Sequence, residues 1–501
     1  MAVGLRRPGN PGKVRQMDGS ARVTGPVSGQ PGILLASFDL GELGYTLEEF
    51  FIDGTATCYE PAGPAGADGY WEVTPSAQAP FTTRVVVCRP ADPAAFTGTV
   101  IVEWLNVSAG FDAPAHWMLT HRHVLRSGWA WVGVSAQRVG IEGGGDIFEN
   151  SEELPGSEPA AAPAQRMMAL PALKESDPPR YGSLHHPGDA FCFDIFAQAV
   201  HAVRTGAVLG PLTARCVLAA GVSQSAIHLV SYVNGVAPTL PPEAACDGYL
   251  IGCRTGRAAP LSGWDGQIRV EGPDGVRVRT DVAPVLTVQT ETDVTGVLAG
   301  VTARQPGSTW FRWWEIAGAS HADTYLLGGA AFVDNGQLPA AELARLMAPT
   351  AEPFGMQCPA PVNSGPQHHY VAQAAIAHLD RWARGGDPPP RSPLLEVDAD
   401  DHMRLVKDDS GIARGGIRTG WVDVPVAALS GIAPDGAPGV AVLLGTTRVF
   451  DAAELARRYP GGRDEYAAAF GAATERAVAD GFLLAEDAGE AVAVAVAAYP
   501  G

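Results

Sequence analysis

The chain has 501 residues, of which 46% are apolar and 18% are charged, a composition that excludes an extensively disordered protein. Its formal net charge of -19 disfavours nucleic acid and anionic membranes as partners, because both are bound by clustered Lys and Arg side chains. The seven cysteines are scattered and odd in number, and they contain no C-x-x-C pair, so the sequence indicates neither a disulfide framework nor a zinc knuckle.

The amino-terminal segment is rich in Gly, Pro and Arg, and we expect residues 1–30 to form a flexible leader. The leader lacks the apolar core of a secretory signal peptide. No run of about 18 apolar residues is present to cross a membrane, and AVAVAVAA at residues 491–498 is too short. These features predict a soluble cytoplasmic protein.

Strand-like and helix-like segments then alternate along the chain. Short apolar runs predict strands, and apolar residues at helical spacing predict helices. In chain order the predicted elements are strands at 81–88 and 99–105, a helix at 115–125, a strand at 129–135, a helix at 193–204, strands at 215–220, 248–251, 284–289 and 309–316, and helices at 370–384, 451–459 and 464–481. This alternation predicts an α/β fold whose mostly parallel central sheet is covered by helices on both faces.

Two long segments interrupt the alternation, near residues 143–187 and 328–367. Long connections at the carboxyl edge of such a sheet commonly form lids or pocket walls, so we expect lid-like insertions there. We assign residues 31–390 to the core and 391–501 to a C-terminal extension packed on the core. The sequence leaves open whether this extension is a separate domain.

The stretch LAAGVSQSAIHL at residues 218–229 has the features of a sharp strand-to-helix turn with Ser223 at its tip. In the G-x-S-x-G pattern, small residues flank a nucleophilic serine because the strand and helix nearly touch there. Gly221 fills the first small position, and Ser225 replaces the second glycine. We interpret Ser223 as a candidate nucleophile, and the alternative is a structural serine in a turn of small residues.

A serine nucleophile needs a base, and the base needs an acid to orient it. His321 lies in the loop of small residues after the late strand at 309–316, where an imidazole can reach a serine. The segment TETD follows the strand at 284–289 and offers two carboxylates. Asp293 is our first choice for the acid, and Glu291 remains the alternative because on an extended segment both side chains would point the same way.

A tetrahedral intermediate also needs backbone donors for its oxyanion. The N–H group that follows the serine belongs to Gln224. A second donor is expected from the loop after the strand at 99–105, for which Asn106, Val107 and Ser108 are the candidates, with Ala109 next to them. This loop lacks an H-G-G-G signature, and its alternative interpretation is a simple turn that opens the following helix.

Other conspicuous residues carry no predicted function. The histidine pairs at 185–186 and 368–369 lack metal-ligand spacing, so we interpret them as loop histidines and predict no metal and no cofactor. Trp310, Trp313 and Trp314 are expected in the core and on the sheet face.

Taken together, these motifs resemble a bacterial α/β-hydrolase-domain family of long carboxylesterase-like proteins. The resemblance spans nearly all of residues 35–490. It rests on VIVEWLNVSAGFD, GWAWVGVSAQRVGIEG, YGSLHHPGDAFCFDIFAQA, GVSQSA, PVLTVQTETDV, WEIAGASHAD, AIAHLDRWARGGDPP and GGIRTGWVDVPVA. It implies an α/β-hydrolase fold with Ser223, the segment containing Glu291 and Asp293, and His321 as the catalytic triad.

The resulting hypothesis is a serine hydrolase that cleaves small-molecule carboxylic esters through an acyl-enzyme. An acyltransferase or amidase would use the same triad, because the triad fixes the intermediate and not the acceptor. A non-catalytic ligand-binding protein with this fold is the third alternative. The ordered Ser, acid and His argue against that last reading, while the sequence predicts neither the acyl chain preference nor the oligomeric state.

Overall fold

The computed structural model describes residues 21–144, 171–263 and 275–500. Nine strands form one sheet in the order β1-β2-β3-β5-β4-β6-β7-β8-β9, and two further strands form a small hairpin sheet. The strands are β1 Arg22–Thr24, β2 Tyr45–Pro61, β3 Val73–Pro90, β4 Thr99–Trp104, β5 Ala130–Val134, β6 Cys216–Val222, β7 Gly248–Gly252, β8 Val285–Thr290, β9 Phe311–Ile316, β10 Ala427–Ser430 and β11 Thr446–Val449.

The strands from β4 to β9 pair in parallel, whereas β1, β2 and β3 add an antiparallel edge beside β5. Helices connect the parallel strands and cover both faces of the sheet. The α-helices of the described residues are α1 Ala115–Arg126, α2 Arg138–Glu142, α3 Leu173–Ser176, α4 Pro178–Tyr181, α5 Cys192–Arg204, α6 Gln224–Ser231, α7 Glu291–Val294, α8 Thr324–Leu327, α9 Ala330–Val333, α10 Ala340–Leu346, α11 Gln367–Ala383, α12 Gly420–Asp423, α13 Ala452–Arg458, α14 Gly462–Ala479 and α15 Ala488–Ala497.

Strand β4 shows why both faces of the sheet are covered. All six of its residues are buried, and alternate side chains enter two different cores. Val100, Val102 and Trp104 pack with α5 and α6, whereas Ile101 packs with α1 and α11. Burial on both sides explains why this strand is continuously apolar instead of alternating with polar residues.

The predicted alternation of strands and helices and the mostly parallel sheet are confirmed, and most predicted elements end within a few residues of the observed ones. The 17-residue strand β2 was not predicted, however, and β3 begins at Val73 instead of Phe81. Two further differences stand out. Residues 22–24 of the segment expected to be a flexible leader form β1, which pairs with residues 51–53 of β2. The pair at 368–369, expected in a loop, lies in the first turn of α11, and both of these histidines are buried.

The C-terminal extension contacts the sheet directly. Phe482, which follows α14, packs its ring edge-on against Trp314 of β9 with 5.1 Å between ring centroids. Both residues belong to the apolar core that α1 and α11 form with the sheet. The β10 end is also hydrogen-bonded to the start of α7, because Gly431 N donates to Glu291 at 2.8 Å.

Lid-like roles for the two insertions stay predictions. Residues 145–170 of the first lie outside the described residues. None of the helices in the part of the chain that the structure describes is both long and apolar enough to span a membrane.

We predict that Phe482→Ala lowers the free energy of unfolding of the whole protein by about 3 kcal/mol, because it empties a buried aromatic site between extension and core. Chemical denaturation followed by tryptophan fluorescence measures this loss. Met403→Ala is the control, since Met403 is an exposed apolar residue of the same extension and should change stability little. An unchanged transition of the core in Phe482→Ala would show instead that the extension unfolds separately.

Candidate active site

The turn between β6 and α6 holds Ser223 in a strained backbone conformation. Its φ of 62° and ψ of -124° lie in a region that residues other than glycine rarely adopt. The turn persists because the Ser223 N–H group donates to Gly252 O of the neighbouring strand at 2.9 Å, and the Ser223 carbonyl accepts from Ile227 at 3.2 Å. As a result Ser223 stands half-buried at the carboxyl edge of the sheet while its neighbours on both sides are buried.

The small residues on either side of Ser223 have separate structural reasons. A Cβ atom on Gly221 would lie 3.0 Å from the Ser225 carbonyl oxygen, a backbone atom that cannot move away. The Ser225 hydroxyl closes the turn, since it donates to Val222 O at 2.9 Å and accepts from Val222 N at 3.0 Å. The two hydrogen bonds of Ser225 therefore stabilise the turn, which explains how a serine can replace the second glycine of the G-x-S-x-G pattern.

The loop after β9 brings His321 to a carboxylate. His321 Nδ1 lies 2.6 Å from Asp293 Oδ1, and the His321 side chain is 10% exposed while that of Asp293 is fully buried. The other oxygen, Asp293 Oδ2, accepts from the backbone N and the hydroxyl of Thr290, each at 2.7 Å. Because a carboxylate only accepts, the proton of this pair sits on Nδ1, and Nε2 is left as the unprotonated nitrogen of the neutral ring.

Asp293 stays ionised in this setting although it is buried. Burial alone pushes its pKa upward, but the charge of His321 and the hydrogen bonds from His321 and Thr290 outweigh it and leave the pKa below its usual value. A charged acceptor is thereby held against the imidazole.

Glu291 points elsewhere. Its carboxylate accepts from Gly318 N at 2.5 Å, from Gly431 N at 2.8 Å and from the Ser430 hydroxyl at 3.3 Å. Burial raises the pKa of Glu291, and these donors counteract the rise only in part. Glu291 thus ties the loop that carries His321 to the C-terminal extension and does not touch the imidazole.

Two more contacts fasten the same junction. Thr292 Oγ1 accepts from His321 N at 3.1 Å and donates to Gly431 O at 2.5 Å. Asn363 donates from Nδ2 to Gly318 O at 2.8 Å and to Ser430 O at 3.0 Å. The histidine loop is therefore fixed from both the extension and the insertion near 328–367.

The loop after β4 faces Ser223 from the adjacent strand. The side chain of Asn106 donates to Val222 O at 3.0 Å, which joins this loop to the turn that holds Ser223. The amide hydrogens of two predicted oxyanion donors already have acceptors: Asn106 N donates to Ala113 O at 3.0 Å, and Ser108 N donates to Asn106 Oδ1 at 2.8 Å. The amides of Asn106 and Ser108 therefore hold the shape of the loop.

Val107 and Gln224 differ from those two amides. Val107 N has a longer hydrogen bond, 3.3 Å, to Gln224 Oε1. Gln224 N lies in the first turn of α6, where an N–H group has no helical acceptor. The Gln224 side chain is itself held by Gln137, whose Oε1 accepts from Gln224 Nε2 at 2.7 Å. Gln224 thus joins the turn of Ser223 to the loop that carries Val107.

The far end of this loop rests on a buried ion pair. Asp112 Oδ2 accepts from Arg84 Nη2 at 2.7 Å and from the Ser135 hydroxyl at 2.5 Å. Both charged side chains are almost fully buried. Such a pair costs desolvation, so its effect is to specify where the loop ends more than to add stability.

Within the described ranges, one group of side chains has the spacing of a metal site. Ligand atoms of Cys253, Asp293 and His321 lie within 4.8 Å of one another. Asp293 and His321 are hydrogen-bonded to each other at 2.6 Å, so an ion there would have to break that pair. The arrangement fits acid–base chemistry through the imidazole better than metal ligation.

Sequence reasoning missed three groups near these residues. The Asn106 side chain, Cys253 and His368 all lie at the carboxyl edge of the sheet, with Cys253 Sγ 3.6 Å from His368 Nε2. Only Cys253 had a usable signal, since it directly follows the predicted strand at 248–251, one strand away from Ser223. His368 is 115 residues from Cys253 in sequence, and no local pattern connects the two.

A serine on a strained strand-to-helix turn and a His–Asp pair, both at the carboxyl edge of a mostly parallel sheet, are features of the α/β-hydrolase class of fold. The family model described as an alpha/beta hydrolase domain matches residues 12–493. The protein therefore belongs to the alpha/beta hydrolase domain family, which confirms the family resemblance and the fold class expected from the sequence. No curated protein matches the chain.

Solved structures with some similarity include bacterial esterases. A thermostable esterase from Pseudomonas putida ECU1011 is 13% identical, over 64% of this chain and 86% of that chain, with a TM-score of 0.29. Esterase 2 of Thermogutta terrifontis is 12% identical, over 50% and 83% of the two chains, with a TM-score of 0.29. The carboxylesterase Cest-2923 of Lactobacillus plantarum WCFS1 is 10% identical, over 50% and 76%, with a TM-score of 0.25. At such values the substrates of these proteins do not transfer to this chain.

Proposed function

We propose that this protein is a serine esterase that hydrolyses small-molecule carboxylic esters through an acyl-enzyme. The observation that carries the proposal is the hydrogen bond of 2.6 Å between His321 Nδ1 and Asp293 Oδ1, at the same carboxyl edge of the sheet as a strained, half-exposed Ser223. A strained serine and a buried acid that orients a histidine are the parts that acyl transfer needs.

In the proposed mechanism Ser223 Oγ attacks the ester carbonyl and its proton passes to His321 Nε2. Asp293 holds the ring so that Nε2 is the nitrogen without a proton, and its charge stabilises the imidazolium that forms. The imidazolium then protonates the leaving alkoxide, and an acyl ester remains on Ser223. A water molecule that loses its proton to His321 hydrolyses this ester and restores the serine.

The oxyanion requires two N–H donors, and we assign them to Gln224 and Val107. Gln224 N has no helical acceptor, and the 3.3 Å bond of Val107 N to Gln224 Oε1 is longer than the bonds of Asn106 N and Ser108 N. Val107 N exchanges that weak acceptor for the charged oxygen, which forms stronger hydrogen bonds. Asn106 and Ser108 shape the loop, since their own amides are engaged.

Glu291 is assigned a structural role in this mechanism. Its carboxylate holds Gly318 and Gly431, and through them it fixes the loop of His321 against the C-terminal extension. We therefore propose that the extension is part of the catalytic unit.

We predict that Ser223→Ala and His321→Ala each lower kcat for a p-nitrophenyl ester by on the order of 10³ to 10⁶, with the double variant little worse than either, because the members of a triad act as one unit. Steady-state kinetics on the purified full-length chain measure these losses. Ser76→Ala is the control, since Ser76 is an exposed serine on β3, outside the turn of Ser223, and its loss should leave kcat unchanged. Losses that add up in the double variant would count against a shared mechanism.

The acid is tested by two amide substitutions. Asp293→Asn should keep the fold and lower kcat by about 10³ to 10⁴, since an amide favours the wrong imidazole tautomer and cannot stabilise the imidazolium. Glu291→Gln should reduce thermal stability more than kcat, because one acceptor oxygen replaces two at a site with several donors. Kinetics and circular dichroism on both variants separate the two roles.

A large loss of kcat confined to a well-folded Glu291→Gln, with Asp293→Asn close to wild type, would reverse this assignment of the acid.

A further inference from the structure

Cys253 occupies an unusual backbone position at the carboxyl edge of the sheet. It directly follows β7, and its φ of 54° lies in the left-handed region that non-glycine residues rarely adopt. The strain is held by the neighbouring strand, because Cys253 N donates to Val288 O at 2.8 Å. Strained residues of this kind cluster at functional sites, where the surrounding structure maintains them.

This backbone conformation places the Cys253 thiol next to the His321–Asp293 pair. Cys253 Sγ, an Asp293 carboxylate oxygen and a His321 ring nitrogen lie within 4.8 Å of one another. On another side Sγ lies 3.6 Å from His368 Nε2. Cys253 and His368 are 1% and 2% exposed and Asp293 is fully buried, so the thiol meets His368 and the carboxylate away from solvent.

The hydrogen-bond partners decide where the protons sit. Sγ lies near two acceptors, the Asp293 carboxylate and His368 Nε2. A charged carboxylate is a stronger acceptor than a neutral imidazole nitrogen, so the thiol hydrogen points at Asp293. Sγ then accepts from His368 Nε2.

The geometry points to Cys253 as a positioning residue: its thiol donates to Asp293 and thereby moderates the charge that the carboxylate presents to His321. His368, whose Nε2 contacts Sγ, orients the thiol. The inference rests on the proposed function, because it concerns the acid of the same triad.

The neighbouring titratable groups have protonation states that suit this arrangement. Burial raises the pKa of Cys253 well above its usual value, and the charge of Asp293 and a hydrogen bond to it raise it further, so the thiol keeps its proton. Burial lowers the pKa of His368 to about 4, which keeps that ring neutral. Burial also raises the pKa of Asp323 to about 7, and Asp323 is the other carboxyl group that acts on Cys253.

Glu291 on α7 is a further ionisable side chain near the pair. It faces Gly318 and Gly431, and the positive charge of Lys407 acts on it. Burial raises the pKa of Asp323 to about 7, so Asp323 titrates near neutral pH and a control must remove it.

The direction of the effect follows from hydrogen bonding. A donor to Asp293 spreads its negative charge and weakens its hold on the imidazolium. Cys253→Ala removes the donor and should raise the titration midpoint of His321, whereas Cys253→Ser supplies a stronger donor and should lower it. Each shift should be about half a pH unit, the size expected for one weak neutral hydrogen bond.

The test is a pH titration of His321 by NMR on the full-length protein with isotope-labelled histidine, with the resonance assigned by its loss in His321→Gln. The titration reads the imidazole itself, so it works whether or not the protein turns over an ester. Failure of this inference is thus distinguishable from failure of the proposed function. If esters are hydrolysed, the midpoint of the kcat–pH profile should move in the same two directions.

Two controls complete the design. Cys216→Ala and Cys216→Ser remove a buried thiol at the opposite end of β6, and they should leave the midpoint of His321 unchanged. Asp323→Asn removes the group that titrates near 7 and keeps a side-chain oxygen to cap α8, so the opposite shifts should persist in that background. Equal midpoints in the two Cys253 variants and wild type, or shifts of the same sign, would overturn the inference.

Discussion

The helical turn that begins at Glu291 is the constraint on which the site depends. Side chains two residues apart on a helix point in different directions, so Glu291 and Asp293 serve different partners from one short segment. Asp293 faces the imidazole, and Glu291 faces the loop of His321 and the C-terminal extension. One turn of helix thereby orients the imidazole of His321 and fixes the loop that carries it.

The same constraint ties the long C-terminal extension of this chain to the loop of His321. Gly431 N reaches Glu291 across 140 residues of sequence, and a Cβ atom on Gly431 would lie 2.3 Å from Ala319 O. Only a residue without a side chain fits at that approach. The extension thus packs directly against the loop that carries His321. The aromatic contact of Phe482 with Trp314 continues this packing toward the sheet.

Much of this could be predicted from the sequence, because it depends on local patterns. Buried strands such as β4 and β6 appear in the sequence as apolar runs, and the small residues around Ser223 indicate a tight turn. The order of Ser223, Asp293 and His321 followed from the order of the strands. Strands β1 and β2 were missed. Three residues at a sheet edge carry too little pattern to separate β1 from a leader, and β2 mixes polar and apolar residues without strict alternation.

What the sequence could not supply were contacts between distant segments and the local conformation that decides direction. An extended TETD segment would have placed both carboxylates on one side, and only its helical form separates them. In the sequence the backbone amides of Asn106, Val107 and Ser108 are equivalent candidates. Only the structure shows that those of Asn106 and Ser108 are already hydrogen-bonded within the loop. Cys253 and His368 meet through the fold alone.

The central claim is that Ser223 is an activated nucleophile, and covalent labelling tests it most directly. A fluorophosphonate reacts quickly only with such a serine, and mass spectrometry of the digested protein locates the adduct. The account predicts one adduct, on Ser223, that is absent from Ser223→Ala and strongly slowed in His321→Ala. An adduct on Ser108 or Ser225, or no adduct on the folded protein, would contradict it.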